Sequence, residues 1–125
     1  MSGEDLTDVA QAWIRIYHAK ENSKERDENF WAFNALSKFC DTDPEKCFEV
    51  IEIIRGLDHS NDVLANLAAG PLEDLLAKHG EQFIDRFEKF AKSDVQLRRL
   101  LGAVWQNDIS DSIWKRLQLI AGPSW

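Results

Sequence analysis

The sequence predicts an all-α protein of seven or eight short helices. Apolar residues recur at three- and four-residue steps along nearly the whole chain, and no stretch alternates as a strand would. Capping residues and Gly or Pro punctuation separate the periodic stretches. Five Trp and seven Phe in 125 residues supply large side chains for a core. The length suits one helical domain spanning residues 1–125.

The elements follow in order. Residues 5–20 place Leu6, Val9, Ala10, Trp13, Ile14 and Tyr17 on one broad stripe. The polar stretch ENSKERDENFW turns the chain, and Asn22 with Glu25 fits a capping pattern for a helix that carries Phe33, Leu36, Phe39 and Cys40 inward. In DTDPEKCFEVIEII, Asp43 caps a helix, Pro44 takes its first position, and Phe48, Ile51 and Ile54 recur at three-residue steps. Ser60 or Asn61 starts a helix through Val63, Leu64, Leu67 and Ala68 that ends at Gly70-Pro71. The next is short and stops at Gly80, a residue suited to a left-handed C-terminal position. Phe83, Ile84, Phe87 and Phe90 mark another, and SDVQLRRLLGAVW one more. Ser110 then caps a last helix with Ile113, Trp114, Leu117 and Ile120 inside.

A weak internal echo bears on how these helices pack. Glu45, Phe48, Ile51 and Ile54 match Glu81, Ile84, Phe87 and Phe90 at one offset, and Asp62, Val63 and Gly70 match Asp94, Val95 and Gly102 at another. The expectation is a HEAT-like stack of helix pairs, in which each pair buries its face on the next. The alternative is an irregular orthogonal bundle.

Composition excludes several function classes. No apolar run approaches the roughly 20 residues of a membrane span. The start MSGEDLTDVAQ opens acidic with no basic flank before an apolar stretch, unlike a signal peptide, so a cytoplasmic protein is expected. Cys40 and Cys47 match no usual zinc spacing, and they are expected as thiols rather than a disulfide. His18, His59 and His79 form no helical metal motif, and no phosphate loop, dinucleotide pattern or nucleophile elbow is present. No cofactor or metal is expected. Arg98, Arg99, Lys115 and Arg116 are interspersed with acids, and nucleic-acid binding is not expected at a pI near 4.9.

Charge is unevenly spread. Residues 1–62 hold 14 Asp or Glu against 7 Lys or Arg, whereas residues 63–125 hold 8 against 8. The whole net charge of −7 therefore lies in the first half, which would attract a basic partner. Glu45, Glu49 and Glu52 fall within about 60° of arc at 100° per residue and should face water, as a solvated face or a docking edge. Trp31 projects away from Phe33, Leu36 and Cys40, so it is either an exposed aromatic anchor or covered by the first helix.

The string LAAGPLEDLLAKHG, followed by LLGAVWQN, resembles a family of small bacterial proteins known as a domain of unknown function. The resemblance covers roughly residues 29–121, and its motif falls on Asn66, Gly70, Pro71, Glu73, Asp74, Trp105 and Asn107. It implies a bacterial origin and a compact helical domain, and attaches no activity. Physics reads Gly70-Pro71 as a corner: Gly70 ends one helix and caps the next, Pro71 starts it, and Glu73 closes the cap. Asp74 then sits in the same positive first turn. Asn66 is the polar residue that the cap leaves unexplained. The function expected from all this is a protein-binding inhibitor of immunity or anti-defence type, blocking a basic protein such as a toxin or nuclease. The candidate contacts are Trp31, Glu45, Glu49, Glu52, Asn66, Glu73, Asp74, Trp105 and Asn107. An enzyme built on Glu73 and Asp74, with His79 or Asn107, and a structural adaptor are the alternatives.

Overall fold

The computed structural model describes residues 5–125, and every regular element among them is helical. The chain divides into two compact units, the first ending at Leu67 and the second running Ala68–Trp125. The uncharged stretch 63–67 leaves the division of charge unchanged at this boundary.

The first unit contains α1 (Leu6–His18), α2 (Lys24–Asn29), α3 (Trp31–Thr42), α4 (Pro44–Leu57) and α5 (Asn61–Leu67). Helix α1 is its centre: α2, α3, α4 and α5 all pack on it. It can serve several neighbours because Val9, Ala10, Ala12, Trp13 and Ile16 are all buried, a stripe about 160° wide at 100° per residue. The two alanines allow close approach, and Trp13 fills the space between. Opposite it lie Leu36 and Cys40 of α3, Val50, Ile51 and Ile54 of α4, and Leu64 and Leu67 of α5, all buried. Each such side chain contributes about 1.5–3 kcal/mol relative to exposure. As expected, the Asp43 carboxylate accepts from the Lys46 amide and Pro44 opens α4.

Two local expectations fail here. Asn22 does not cap α2; it adopts φ 59° in the turn, and the Ser23 hydroxyl accepts from the Arg26 amide at 3.1 Å. Asn tolerates the left-handed region, which frees the next hydroxyl for the cap. Helix α2 buries none of its own residues. Arg26 ties it to α1, donating to the Ile16 carbonyl at 3.1 Å and lying over the Tyr17 ring. Phe33, expected inside, is 41% exposed. The buried arc of α3 is set by Ala32, Leu36, Phe39 and Cys40, and Phe33 falls just beyond its edge.

The second unit begins with a π-helical turn, Ala68–Leu72, followed by α6 (Glu73–Ala91), α7 (Val95–Leu101) and α8 (Asp111–Ile120). The corner expected at Gly70-Pro71 is absent. Leu72 keeps helical angles (φ −68°, ψ −44°) and no side chain caps α6, so neither Gly70 nor Glu73 has the capping role. Proline lacks an amide donor and its ring collides with the carbonyl four residues back in an α-helix. A wider π turn makes room for that ring where the hydrogen-bond ladder changes register.

The expected stop at Gly80 is present as a break at its neighbour: His79, with φ −135° and ψ 26°, leaves the helical region, so α6 is two helices meeting at a kink, the second running on to Ala91. Gly80 itself does not take the left-handed angle expected of it. Gly80 is buried, and a Cβ built on it would lie 3.0 Å from Ile113 Cγ2. Its small size is thus what lets α6 and α8 approach. Around that contact, Leu76, Phe83, Ile84 and Phe87 of α6 and Leu117 of α8 are buried. Arg116 of α8 clamps the same pair from outside, donating to Asp85 and, through two nitrogens, to Glu88. These bonds hold the Glu88 carboxyl below its usual range and push the Arg116 guanidinium further up. After α8 the chain is extended. The Gly122 amide donates to the Arg98 carbonyl at 2.7 Å, and the Trp125 indole donates to the Arg99 carbonyl at 2.8 Å.

Candidate functional sites

In the first unit, one residue joins α2 to α3. Phe30 keeps helical angles there, so α3 starts at once and its first turn displays Phe30, Trp31 and Phe33. They are 36%, 46% and 41% exposed. Phe30 and Phe33 stack with centroids 4.9 Å apart and planes 21° from parallel, while Trp31, exposed as well, leaves the helix in another direction, since residues one or two apart do not share a helix face. This settles the two readings of Trp31 in favour of exposure. Ala32 and Leu36, both buried, attach the helix to the core. Asp27 and Glu28 immediately precede the three rings and are exposed; Glu28 also lies 3.6 Å from Lys24.

The acidic stripe on α4 is shorter than its sequence suggests. Glu45 and Glu49 are exposed. Glu52 instead accepts two bonds from Arg55, at 2.7 and 2.8 Å, which neutralise it. The pairing is the ordinary attraction of opposite charges three residues apart on a helix. Asn66 also has a local role, donating to the Asp62 carbonyl at 2.8 Å. That bond removes the reason for singling it out.

In the second unit, Glu73 reaches 34 residues along the chain. Its Oε1 accepts from Asn107 Nδ2 at 2.7 Å, fastening the α7–α8 loop to the first residue of α6. Asn107 has φ 39°, a conformation that Asn enters more readily than other non-glycine residues. The loop is braced elsewhere too: Gln106 Nε2 donates to the Ile109 carbonyl at 3.2 Å and to Asp111 Oδ1 at 2.8 Å, and Val104 and Ile109 are buried. Held between them, Trp105 is 71% exposed. It borders a cavity of about 460 Å³ whose other walls include Leu101, Trp114, Leu117 and Gln118.

Residues 19–123 match the model of a family described as a family of unknown function, DUF6869. The chain belongs to DUF6869. No curated protein and no solved structure matches it. The DUF6869 match starts ten residues earlier than the resemblance to the bacterial family had reached, and so takes in all of α2 as well as the aromatic turn of α3.

Among the motif positions singled out in the sequence, the structure joins Glu73 to Asn107 and sets Trp105 two residues away on the same loop. Asp74 is exposed beside them. His79 lines a different cavity, with Lys78, Gln82 and Ser110, that includes none of Glu73, Asp74 and Asn107. His18 Nε2 donates to Asp58 Oδ2 at 2.7 Å, and Asp58 also accepts from the Ser60 amide. Burial alone would raise the Asp58 carboxyl, but the bonds from Ser60 and His18 outweigh it and hold it below its ordinary value. Cys40 and Cys47 are buried thiols, not a disulfide. Among the described residues no three His, Cys, Asp or Glu side chains gather as metal ligands, and no helix is long and apolar enough to cross a membrane. The features that sequence reasoning missed are the exposed, stacked Phe30–Phe33 pair next to Trp31 in the chain, and Trp114 as a wall of the cavity that Trp105 borders. The only sequence signal for the first was the clustering of three aromatics within four residues.

Proposed function

We propose that the first unit is a protein-binding module that docks on a basic partner through the Phe30–Trp31–Phe33 turn. The observation that carries this reading is three exposed aromatic rings on one turn of a unit holding all of the chain's excess negative charge. Buried aromatic anchors dominate interface energies, and charge complementarity speeds encounter and selects partners. Asp27, Glu28, Glu45 and Glu49 supply exposed negative charge in this unit. In this reading the protein is a bacterial, cytoplasmic inhibitor of immunity or anti-defence type, and its target is a basic toxin or nuclease.

Inhibitors of this type are commonly encoded beside their targets, which makes the products of flanking genes the proteins to test. Binding of each purified basic product is measured by biolayer interferometry at low and high salt. The expected result is one partner whose association slows with salt. Trp31→Ala should raise its dissociation rate at least tenfold, the scale of an aromatic hot spot. Glu49→Lys should slow association instead. If binding survives both changes, or no basic product binds, the reading is wrong.

A further inference from the structure

We propose that the cavity beside Trp105 in the second unit binds a small uncharged heterocycle of nucleobase type, with Trp105 and Trp114 as its walls. The site lies in a different unit from the aromatic turn of α3, and it stands or falls independently of the protein-binding reading. Its volume of about 460 Å³ sits within the roughly 300–1,000 Å³ of small-molecule sites. Its floor is apolar, from Leu101, Val104 and Leu117.

Three observations define the ligand. No Asp, Glu, Lys, Arg or His lines the cavity, so neither an anion nor a cation meets a counter-charge there. The two indoles border one space and stack neither on each other nor on another aromatic ring, an aromatic lining suited to a flat ligand. Among the described residues, the indole N–H groups of Trp105 and Trp114 and the Gln118 amide have no hydrogen-bond partner. A ligand with a flat body and an amide-like edge satisfies both requirements. A base within a nucleic-acid strand is disfavoured, because no Lys or Arg lines the cavity to meet the phosphates that supply most such affinity.

The frame is built in advance of any ligand. Trp105 adds nothing to the core, yet its loop is fixed on both sides, by Gln106 to Ile109 and Asp111 and by Asn107 to Glu73. Glu73 is thus a positioning residue that acts through Asn107 on the placement of Trp105. A ligand meeting a fixed indole loses less entropy on binding than one meeting a mobile loop.

The test uses the full chain and a defined panel: adenosine, guanosine, cytidine, uridine, adenosine monophosphate and glucose. Calorimetry gives affinities, and two-dimensional NMR follows the five indole N–H signals. At least one nucleoside is expected to bind at sub-millimolar concentration, shifting the Trp105 and Trp114 signals and leaving Trp13 and Trp31 unmoved. The monophosphate should bind more weakly than its nucleoside, and glucose not at all. Trp105→Ala should weaken binding at least tenfold, whereas Trp105→Phe keeps a ring and loses less. Glu73→Ala should cost about three- to tenfold with the fold intact by circular dichroism, and Glu73→Gln, which retains an acceptor oxygen for Asn107, should restore most of it. The proposal is overturned if no nucleoside binds up to millimolar concentration, if glucose or the monophosphate binds as well, or if Trp105→Ala binds like the parent. Equal loss in Glu73→Gln and Glu73→Ala would overturn the positioning role.

Discussion

The close approach of α6 and α8 at Gly80 makes a prediction in which one substitution reverses sign. A methyl group at Gly80 would lie 3.0 Å from Ile113 Cγ2 and 3.1 Å from Cγ1, inside the roughly 3.5–4.0 Å optimum for carbon atoms. Ile113 is only 4% exposed, so its side chain has little room to yield. Overpacking of this kind costs about 1–3 kcal/mol, and replacing a helical glycine returns up to about 1 kcal/mol. Gly80→Ala should therefore destabilise the protein by about 1 kcal/mol, lowering Tm by about 3–6 °C at this size. Ile113→Ala alone should cost about 2–5 kcal/mol through the void it leaves. In that background the methyl at Gly80 has space and partly fills the void, so Gly80→Ala should become stabilising. Urea unfolding of the four proteins of this double-mutant cycle, followed by circular dichroism, measures the coupling. An equal effect of Gly80→Ala in both backgrounds would show that the 3.0 Å approach does not limit the packing of α6 on α8.

Other perturbations have equally direct readouts. A Cβ at Gly102 would sit 2.4 Å from the Pro123 carbonyl oxygen, a backbone atom that cannot rotate away. Gly102→Ala should cost about 1–3 kcal/mol and release the 122–125 segment, seen as a changed Trp125 indole N–H signal. The Asp58 carboxyl titrates below its ordinary value when folded, so its contribution is fully present above the unfolded pKa and is lost as pH falls through the folded one. Asp58→Asn should therefore lose less stability than the parent between about pH 4 and pH 2. Cys40 and Cys47 are 2% and 0% exposed, so a thiol reagent should label them at least about tenfold more slowly in the native protein than in denaturant.

Much of this architecture is written locally. The Asp43-Pro44 start of α4 and the Ser110 start of α8 were legible because a cap depends on residues within one turn of each other. The 3.6-residue period found Ile51 and Ile54 of α4 and Ile113 and Leu117 of α8, which are buried, but Phe48, Trp114 and Ile120 on the same stripes are only partly covered. Ser23 displaced Asn22 as a cap because two neighbouring residues competed for one position, and the left-handed turn at Asn22 decided between them. The membership in DUF6869, shown over residues 19–123, adds no activity to these local readings.

Residues distant in sequence are where the reading from sequence stopped. Periodicity ranks faces of a helix by polarity, and it placed Phe33 inside. Only the packing of α3 on its neighbours fixed how wide the buried face is, leaving Phe30, Trp31 and Phe33 outside. Gly80 stands beside the break at His79 that its composition suggested, but the close pass of α8, which also requires a glycine there, had no signal in the sequence. Glu73 had the spacing of a cap, yet the Asn107 amide 34 residues on took its carboxylate. By itself the sequence determined that the chain is helical, where most helices begin, and that its excess charge lies in the first half, since these depend on neighbours within a turn or on counting. Tertiary structure alone decided which aromatics reach solvent, what Gly80 and Glu73 are for, and where a cavity opens, because each depends on side chains that meet only after the helices pack.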